Sequence, residues 1–453
     1  MGRCGRGEFA YQAVCRYIEA LINQADPTEE GRLPSLRDLA ARLKVSLATV
    51  QNAYSLLEHQ GRVRSVPKSG YFVAFDARER EQSAWPRSRP AFALPMATPM
   101  ALERALFAQE RRLSRQSGPS SWRSGKGALL RHVLAARYTR SSGHSWNAEH
   151  VHLATDVQAL LVTLLRALRL QGATAVVTTP CCRRLLEALR WAGMRVLEVP
   201  TGDDGALDLD RLAQLLACEL VRLVVLPSCL AVPLGRRVSL SEQQAVAQLL
   251  ADHPAWLLEN DLDSEHCFGE PPAMHLRDGV DIGRLLVLGS LEATVGAEGP
   301  YAYLLCRQRD VEEAIDRRGF LIPPLRQQAI AQIYAKGEVE AWLPRMRSEL
   351  QASMDHLFLQ VESCLGGRLV VARPEGGRVL WGRLRQPVNH GHAQVAVAGT
   401  GLTITPGERF SLQGNHMGYV ALTWQGAPWE GLEQALHRLD RALARPPADD
   451  VAG

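Results

Sequence analysis

Only four of the 52 basic residues are lysines: Lys44, Lys68, Lys126 and Lys336. Chemistry that needs a lysine amine, such as a Schiff base, therefore has four places to reside. Thr49, Gln51 and Asn52 offer a different chemistry, since side-chain amides pair with adenine edges in a DNA major groove. Arg37, Arg62, Arg64 and Lys68 suit phosphate oxygens beside them. Cys181-Cys182 offers two thiols, but neighbouring cysteines close only a strained disulfide and cannot both easily reach one tetrahedral metal. Glu265-His266-Cys267 and His390-Gly391-His392 have ligand types without a second half, so they read as solvated loop residues.

The amide-bearing stretch needs a helix to aim it. Val14, Ile18, Leu21 and Ile22 have helical spacing and open the chain with an amphipathic helix. Ser35 then caps a second helix with Leu36, Leu39, Ala40 and Leu43 inside and Asp38 near capping-box spacing. Ser46 caps a third, with Val50, Ala53, Tyr54 and Leu57 inside and Leu47, Thr49, Gln51, Asn52 and Ser55 outside. Gly61 ends it, and Arg62–Val66, Pro67-Lys68-Ser69-Gly70 and Tyr71–Val73 read as a hairpin. Helix, tight turn, helix and basic-tipped hairpin make a winged helix-turn-helix. Such a bundle also serves as a protein-interaction module, but the one-sided polar residues favour DNA.

The remainder bounds the class. At 453 residues the chain needs two or three domains. A net charge of +4 excludes a polycation, and residues 1–75 carry +3 of it. No apolar run reaches membrane-spanning length, and the N-terminus has no secretory apolar region, so a cytoplasmic protein is expected. Nine cysteines without a C-x-x-C spacing fit reduced thiols. Residues 76–99, with Pro86, Pro90, Pro95 and Pro99, read as a linker after a DNA-binding domain at 1–75. Apolar runs Val176–Thr178, Val196–Val199, Leu223–Leu226, Trp256–Leu258, Leu285–Leu288 and Tyr303–Cys306 alternate with amphipathic stretches such as Arg183–Trp191 and Glu242–Ala251. That alternation predicts a mainly parallel sheet in an α/β large domain at 100–360. Shorter elements (Leu369–Val371, Val379–Leu384, Leu402–Thr405, Tyr419–Leu422) predict a small α+β domain at 361–453. Trp342, Trp381 and Trp424 read as core aromatics, and Arg345 and Arg347 as a solvated helix face after Pro344.

The segment LPSLRDLAARLKVSLATVQNAYSLLEHQGRVRSVPKSGYFVA resembles the winged-helix domain of GntR-family bacterial transcription regulators. It departs at the start of the recognition helix, where Leu47 and Gln51 stand in place of frequent arginines. With about 350 residues of α/β pattern behind it, the chain resembles the MocR subgroup, whose body is a fold-type-I, pyridoxal-phosphate-dependent aminotransferase fold. Gly125-Lys126-Gly127 with Leu130-Arg131, Val176–Pro180, Leu226-Pro227-Ser228 with Gly235, Glu259–Glu265 (ENDLDSE), Gly289-Ser290 through Leu305, and Gly401–Phe410 (GLTITPGERF) follow in the family's order.

The resemblance implies a site that has lost its chemistry. The Schiff-base lysine position is Ala293, and the carboxylate that protonates the cofactor ring is Asn260. The tyrosine for the ring hydroxyl is Leu262 and the phosphate arginine is Pro300. The stacking aromatic falls near Cys182 and the substrate-carboxylate arginine near His416. Asp261 is the alternative ring partner one residue on. Ser290 and Thr294 remain as phosphate hydrogen-bonders, although Ser and Thr at a strand end are more often turn caps. The expectation is a regulator with a catalytically dead pseudo-aminotransferase body and no catalytic residue. DNA is met by Ser35, Arg37, Ser46, Thr49, Gln51, Asn52, Arg64, Lys68, Ser69 and Gly70. No metal and no cofactor are expected, with non-covalent pyridoxal phosphate as the minor alternative. Partners are double-stranded operator DNA, a second copy in a homodimer and a small-molecule effector, with no membrane. A pyridoxal-phosphate-dependent aminotransferase or pyridoxal-phosphate-sensing regulator is the competing reading.

Overall fold

Long β-branched and leucine-rich runs with no polar alternation must be covered on both faces, and helices do this throughout the larger part of the chain. The computed structural model describes residues 14, 18, 33–43, 45–59, 63–66, 70–73, 100–116, 128–202, 204–270, 272, 274–296, 301–425 and 429–444. It divides into two units, Met1–Pro90 and Ala91–Gly453. The expected linker at 76–99 lies outside the described residues, apart from its C-terminal neighbour helix starting at Met100.

In the first unit α1 (Leu36–Leu43) and α2 (Leu47–His59) precede β1 (Val63–Val66) and β2 (Gly70–Val73). Both expected caps form. Ser35 Oγ accepts the Asp38 N–H at 3.2 Å, and Ser46 Oγ accepts the Thr49 N–H at 3.1 Å. Each satisfies an orphan donor of a first helical turn. Val14, Ile18, Leu39, Val50, Ala53, Tyr54, Leu57 and Val63 form one buried cluster. Leu21 and Ile22 lie outside the described residues. The strands pair antiparallel with Val63 opposite Val73 and Val66 opposite Gly70. Tyr54 locks the two layers: its ring stacks on Tyr71 at 4.3 Å and its hydroxyl donates to Pro34 O at 2.7 Å.

The second unit begins with α3 (Met100–Gln116) and α4 (Ala128–Arg140). A seven-stranded sheet follows, in the spatial order β3 (Val151–Ala154), β11 (Ala302–Leu305), β10 (Leu285–Ser290), β9 (Trp256–Asn260), β6 (Val221–Pro227), β4 (Thr174–Thr179), β5 (Arg195–Pro200). Only β11 runs against its neighbours, and the short strands β7 (Leu230–Ala231) and β8 (Arg236–Arg237) pair antiparallel outside this sheet. Each of the six expected apolar runs is a strand, with Cys306 one residue past its end. Along β4, Ala175 and Val177 enter one core and Val176 the other, as period-two alternation requires. Val157–Ala167 (α5), Arg183–Trp191 (α6) and Arg309–Arg318 (α10) cover the first face. The opposite face meets α4, Leu209–Cys218 (α7), Leu240–Ala251 (α8) and Pro324–Ala335 (α11). Gly289 faces Tyr303 across the β10–β11 pair, and a Cβ there would lie 2.2 Å from the tyrosine ring.

Pro344 does not start a helix. It lies inside the 28-residue α12 (Glu338–Leu365), whose buried stripe of Val339, Leu343, Met346, Leu350, Met354, Leu357, Val361 and Leu365 outweighs the proline's lost hydrogen bond. The four-stranded antiparallel sheet that follows has the order β12 (Leu369–Val371), β13 (Leu380–Leu384), β15 (Tyr419–Trp424), β14 (Leu402–Pro406). His390–Val397 (α13) and Leu432–Leu443 (α14) pack beside it. No helix among the described residues is long and apolar enough to cross a membrane.

Tyr54→Phe leaves the Pro34 carbonyl without its partner and is expected to weaken the first unit by about 1–2 kcal/mol. Native-state amide exchange across residues 33–73 reads this, and unchanged protection would contradict the locking role of the hydroxyl.

Candidate ligand cleft and nucleic-acid interface

In open α/β sheets ligands collect outside the carboxyl ends of the strands. Here β4 ends at Thr179, β6 at Pro227, β9 at Asn260 and β10 at Ser290. Asn260 is half-buried and its Oδ1 accepts the Leu262 N–H at 3.3 Å. Leu262 is buried at the cleft wall. Ser290 Oγ accepts the Glu292 N–H at 3.1 Å and Thr294 Oγ1 lies 2.6 Å from the Tyr334 hydroxyl, so both hydroxyls serve local structure. Ala293 belongs to the short helix Glu292–Val295 (α9), while Pro300 lies outside the described residues. His416 has φ +64, a left-handed backbone, and its Nε2 lies 2.9 Å from Thr179 Oγ1. Burial holds its ring below the usual histidine range. Cys182 immediately precedes α6, and burial pushes the thiols of Cys181 and Cys182 up, away from thiolate reactivity. Lys336 caps α11 beside Glu338 and does not line the cleft, and Lys126 lies outside the described residues.

Asp261, the alternative ring partner, is committed elsewhere. Its carboxylate accepts from Tyr138 Oη at 2.5 Å and from Ser264 Oγ, and lies 3.5 Å from Arg277. Arg277 also donates to Glu259 at 2.9 Å, and both are almost fully buried. Burial pushes Glu259 up to about 7, although Arg277 pulls the other way. Burial acts on Asp261 too, but Arg277, His275 and the two hydroxyl donors together hold it below the usual carboxylate range. Tyr138 further meets Tyr303 Oη at 3.0 Å. Glu259, Asp261 and His275 have the ligand types and spacing for a cation, but the Arg277 guanidinium already supplies that charge.

The cleft encloses about 760 Å³ of empty space when its open mouth is counted. Its polar lining is Arg184, Asp263, His266, Ser290, Glu292 and Arg378. Val232, Leu262, Val379 and Phe410 make the apolar wall. Arg184 reaches Glu292 at 3.4 Å, and His266 Nδ1 lies 3.5 Å from Asp263. Behind this wall Trp381 meets Phe410 edge-on and stacks on Tyr419 of the adjacent strand β15, which also adds Ala421.

Several loop readings are corrected by burial. His266 is 4% exposed and Cys267 fully buried, because their turn is clamped under Glu375–Gly377: Gly377 N donates to His266 O, and Phe268 N to Glu375 O. Cys267 Sγ lies 3.6 Å from Cys229 Sγ. Arg347 is not solvated; it is buried against Glu265, which also pairs with Arg137, whereas Arg345 is exposed. His390 and His392 do lie in the first turn of α13, with His392 exposed. Trp381 and Trp424 are buried, and Trp342 is partly so. Arg378, Arg184 and Glu292 were missed as site residues. Only the Gly376-Gly377 pair before Arg378 marks a close backbone approach in the sequence.

In the first unit Arg37 and Gln51 are exposed and Thr49 half-buried, with Ser35 and Ser46 at the two helix starts. Asn52 follows Gln51 on α2, Arg64 is on β1, and Gly70 opens β2. Lys68, Ser69 and Arg62 lie outside the described residues.

Residues 108–424 match the family described as aminotransferase class I and II, and residues 10–73 that of bacterial regulatory proteins, gntR family. The HTH-type transcriptional regulator YdcR of Escherichia coli (strain K12) is 26% identical, across 96% of this chain and 98% of its own. The probable rhizopine catabolism regulatory protein MocR of Rhizobium meliloti is also 26% identical, across 87% and 86%. Kynurenine aminotransferase of Pyrococcus horikoshii superposes with a TM-score of 0.69 at 16% identity, covering 82% of this chain and 94% of its own. That last likeness concerns the fold.

Arg277→Met strands Glu259 and Asp261 without their counter-ion and is expected to destabilise the second unit by about 3–5 kcal/mol at pH 8. Urea unfolding followed by tryptophan fluorescence measures it; a loss below about 1 kcal/mol would refute the structural role of this charge cluster.

Proposed function

The chain belongs to the aminotransferase class I and II family with a gntR-family unit before it, and from that premise we propose a DNA-binding transcriptional regulator of MocR type. In this reading its aminotransferase-like body performs no catalysis; it serves to join two copies, and its cleft is the place for a small-molecule effector. The observation carrying the second half is the donor set along the cleft, which does not fit pyridoxal phosphate. Ala293 supplies no amine, and no lysine is among the described residues that line the cleft. Asn260 offers an amide where a ring nitrogen requires a carboxylate, and Asp261 is held by Arg277 and Tyr138. Asp263 lines the cleft and Glu292 is paired there with Arg184, so Arg378 alone is left to face a phosphate dianion.

The reading of DNA rests on α2, whose exposed Gln51, with Thr49 and Asn52, presents base-pairing chemistry to a major groove. Arg37, Arg64 and the Lys68-Ser69-Gly70 tip meet phosphates, and the N-terminal turns begun by Ser35 and Ser46 add backbone donors. Two such heads on a homodimer bind jointly through effective concentration, and double-stranded operator DNA is the partner. An effector shifts the heads only by its differential affinity for two arrangements of the dimer.

Selection of bound duplexes from a random library, followed by anisotropy titration, tests the DNA half. Gln51→Ala or Asn52→Ala is expected to flatten the preference among enriched and unenriched duplexes. Lys68→Ala is expected to weaken all duplexes alike and lower the salt slope by about 1. Equal losses on every sequence for both classes of variant would refute the assignment of roles. For the body, borohydride reduction with pyridoxal phosphate present should leave no tagged lysine; a tagged peptide would restore the enzyme-like alternative.

A further inference from the structure

We propose that the cleft of the second unit binds a small apolar monocarboxylate, with Arg378 as its counter-ion and His266 as a second polar contact. This rests on the reading of the body as a cofactor-free sensor and names the ligand class for it.

The first observation is that Arg378 is placed by design of the backbone. Gly376 bridges to Cys267, and a Cβ on Gly376 would meet Leu230 Cδ1 at 2.7 Å and the His266 carbonyl at 2.9 Å. Gly377 has φ +85 and donates to that carbonyl at 3.0 Å. The two glycines press the start of β13 onto the 264–268 turn, which sets the next side chain, Arg378, in the cleft wall.

The second observation is that its charge has no fixed mate. The other guanidinium, Arg184, is paired with Glu292. Among the described residues no carboxylate lies within 4 Å of Arg378, and its buried Nε has no hydrogen-bond partner. Asp263 and Glu292 act on it only from further off, and burial draws its guanidinium below the ordinary value. A half-buried guanidinium whose Nε is sealed from water without a partner is costly, so a site that keeps one is organised for an anion.

His266 makes the same point independently. It is 4% exposed, it lines the cleft, its Nε2 has no hydrogen-bond partner, and its Nδ1 has only the Asp263 carboxylate at 3.5 Å. Burial keeps it below the usual histidine range, so at neutral pH it offers one donor and one acceptor rather than a second positive charge.

The flanking groups select among anions. A carboxylate fits the planar fork of Arg378 through two parallel hydrogen bonds. A second negative charge would face Asp263 and Glu292, which disfavours phosphate and dicarboxylates. The rest of the ligand lies against Val232, Leu262, Val379 and Phe410, which reward a hydrocarbon body.

Calorimetric titration of the full-length protein with acetate, propionate, 4-methylpentanoate and benzoate tests this, with 4-methylpentan-1-ol and inorganic phosphate as comparisons. At least one of the larger carboxylates is expected to bind about tenfold or more tightly than acetate, the alcohol or phosphate. Arg378→Met should weaken that carboxylate about tenfold or more while the protein's melting temperature holds or rises, because a half-buried charge with no fixed partner has been removed. Arg378→Lys, which keeps a charge without the fork, should fall between. No heat from any of the four carboxylates up to about 10 mM, equal binding of alcohol and acid, tighter binding of phosphate, or unchanged affinity in Arg378→Met would each overturn the proposal. Duplex binding and borohydride trapping on the same preparation separate the failures. A silent titration with DNA binding intact and no tagged lysine sinks the ligand assignment alone, whereas a tagged lysine sinks the cofactor-free reading beneath it.

Discussion

Arg277 and the two carboxylates around it are taken out of water together, and that one requirement arranges much of the second unit. A guanidinium at 2% exposure is tolerated only because Glu259 and Asp261 neutralise it and Tyr138 lies against its face at 5.0 Å. Those partners come from separate places: the end of β9, the turn after it, and α4. Ser228, just past β6, adds a hydroxyl to Glu259, and the Tyr138–Tyr303 contact extends the cluster to β11. Tyr303 itself fits there because its neighbour across the ladder is Gly289. A charge cluster thus sets the register of strand ends that hydrophobic packing alone would leave loosely specified.

Its effect on the cleft is indirect and decisive. Holding Asp261 toward Arg277 aims Leu262 and Asp263 at the cleft instead, so the group nearest the strand ends is apolar and the carboxylate stands further round the wall. From the other side, Gly376 and Gly377 bring a strand of the small sheet close enough to add Arg378. The result is a cleft that sets opposite charges beside hydrocarbon walls. Burial pushes both thiols of the Cys181-Cys182 pair up, which removes the one nucleophilic pair at its edge from reactivity.

The first unit depends on smaller, local terms. Two serine caps start α1 and α2, and Tyr54 of α2 ties them together: its hydroxyl bonds the chain before α1 and its ring stacks on the hairpin. The cap bonds act within one helical turn and Tyr54 is buried, so Gln51 stays on the exposed side of α2. Exposed Gln51 on a helix with a fully buried opposite face is the physical basis for assigning it to recognition rather than packing.

What the amino-acid sequence determined by itself was everything carried by short-range periodicity and by residue identity. The strands of the main sheet, α6, the caps at Ser35 and Ser46 and the buried stripe of α2 were legible because period and capping chemistry act within a few residues. So was the absence of an amine at position 293, since identity needs no geometry. Tertiary structure alone decided the fate of the charged residues. His266 and Arg347 read as solvated because their types prefer water, and only the clamp by Glu375–Gly377 and the pair with Glu265 bury them. Asp261 and Arg378 exchange the roles that adjacency suggests, the first turned inward to Arg277 and the second brought to the cleft from over a hundred residues away. Charges act through space at low dielectric, so their partners are set by which strand ends meet, and that is information no local window of sequence contains.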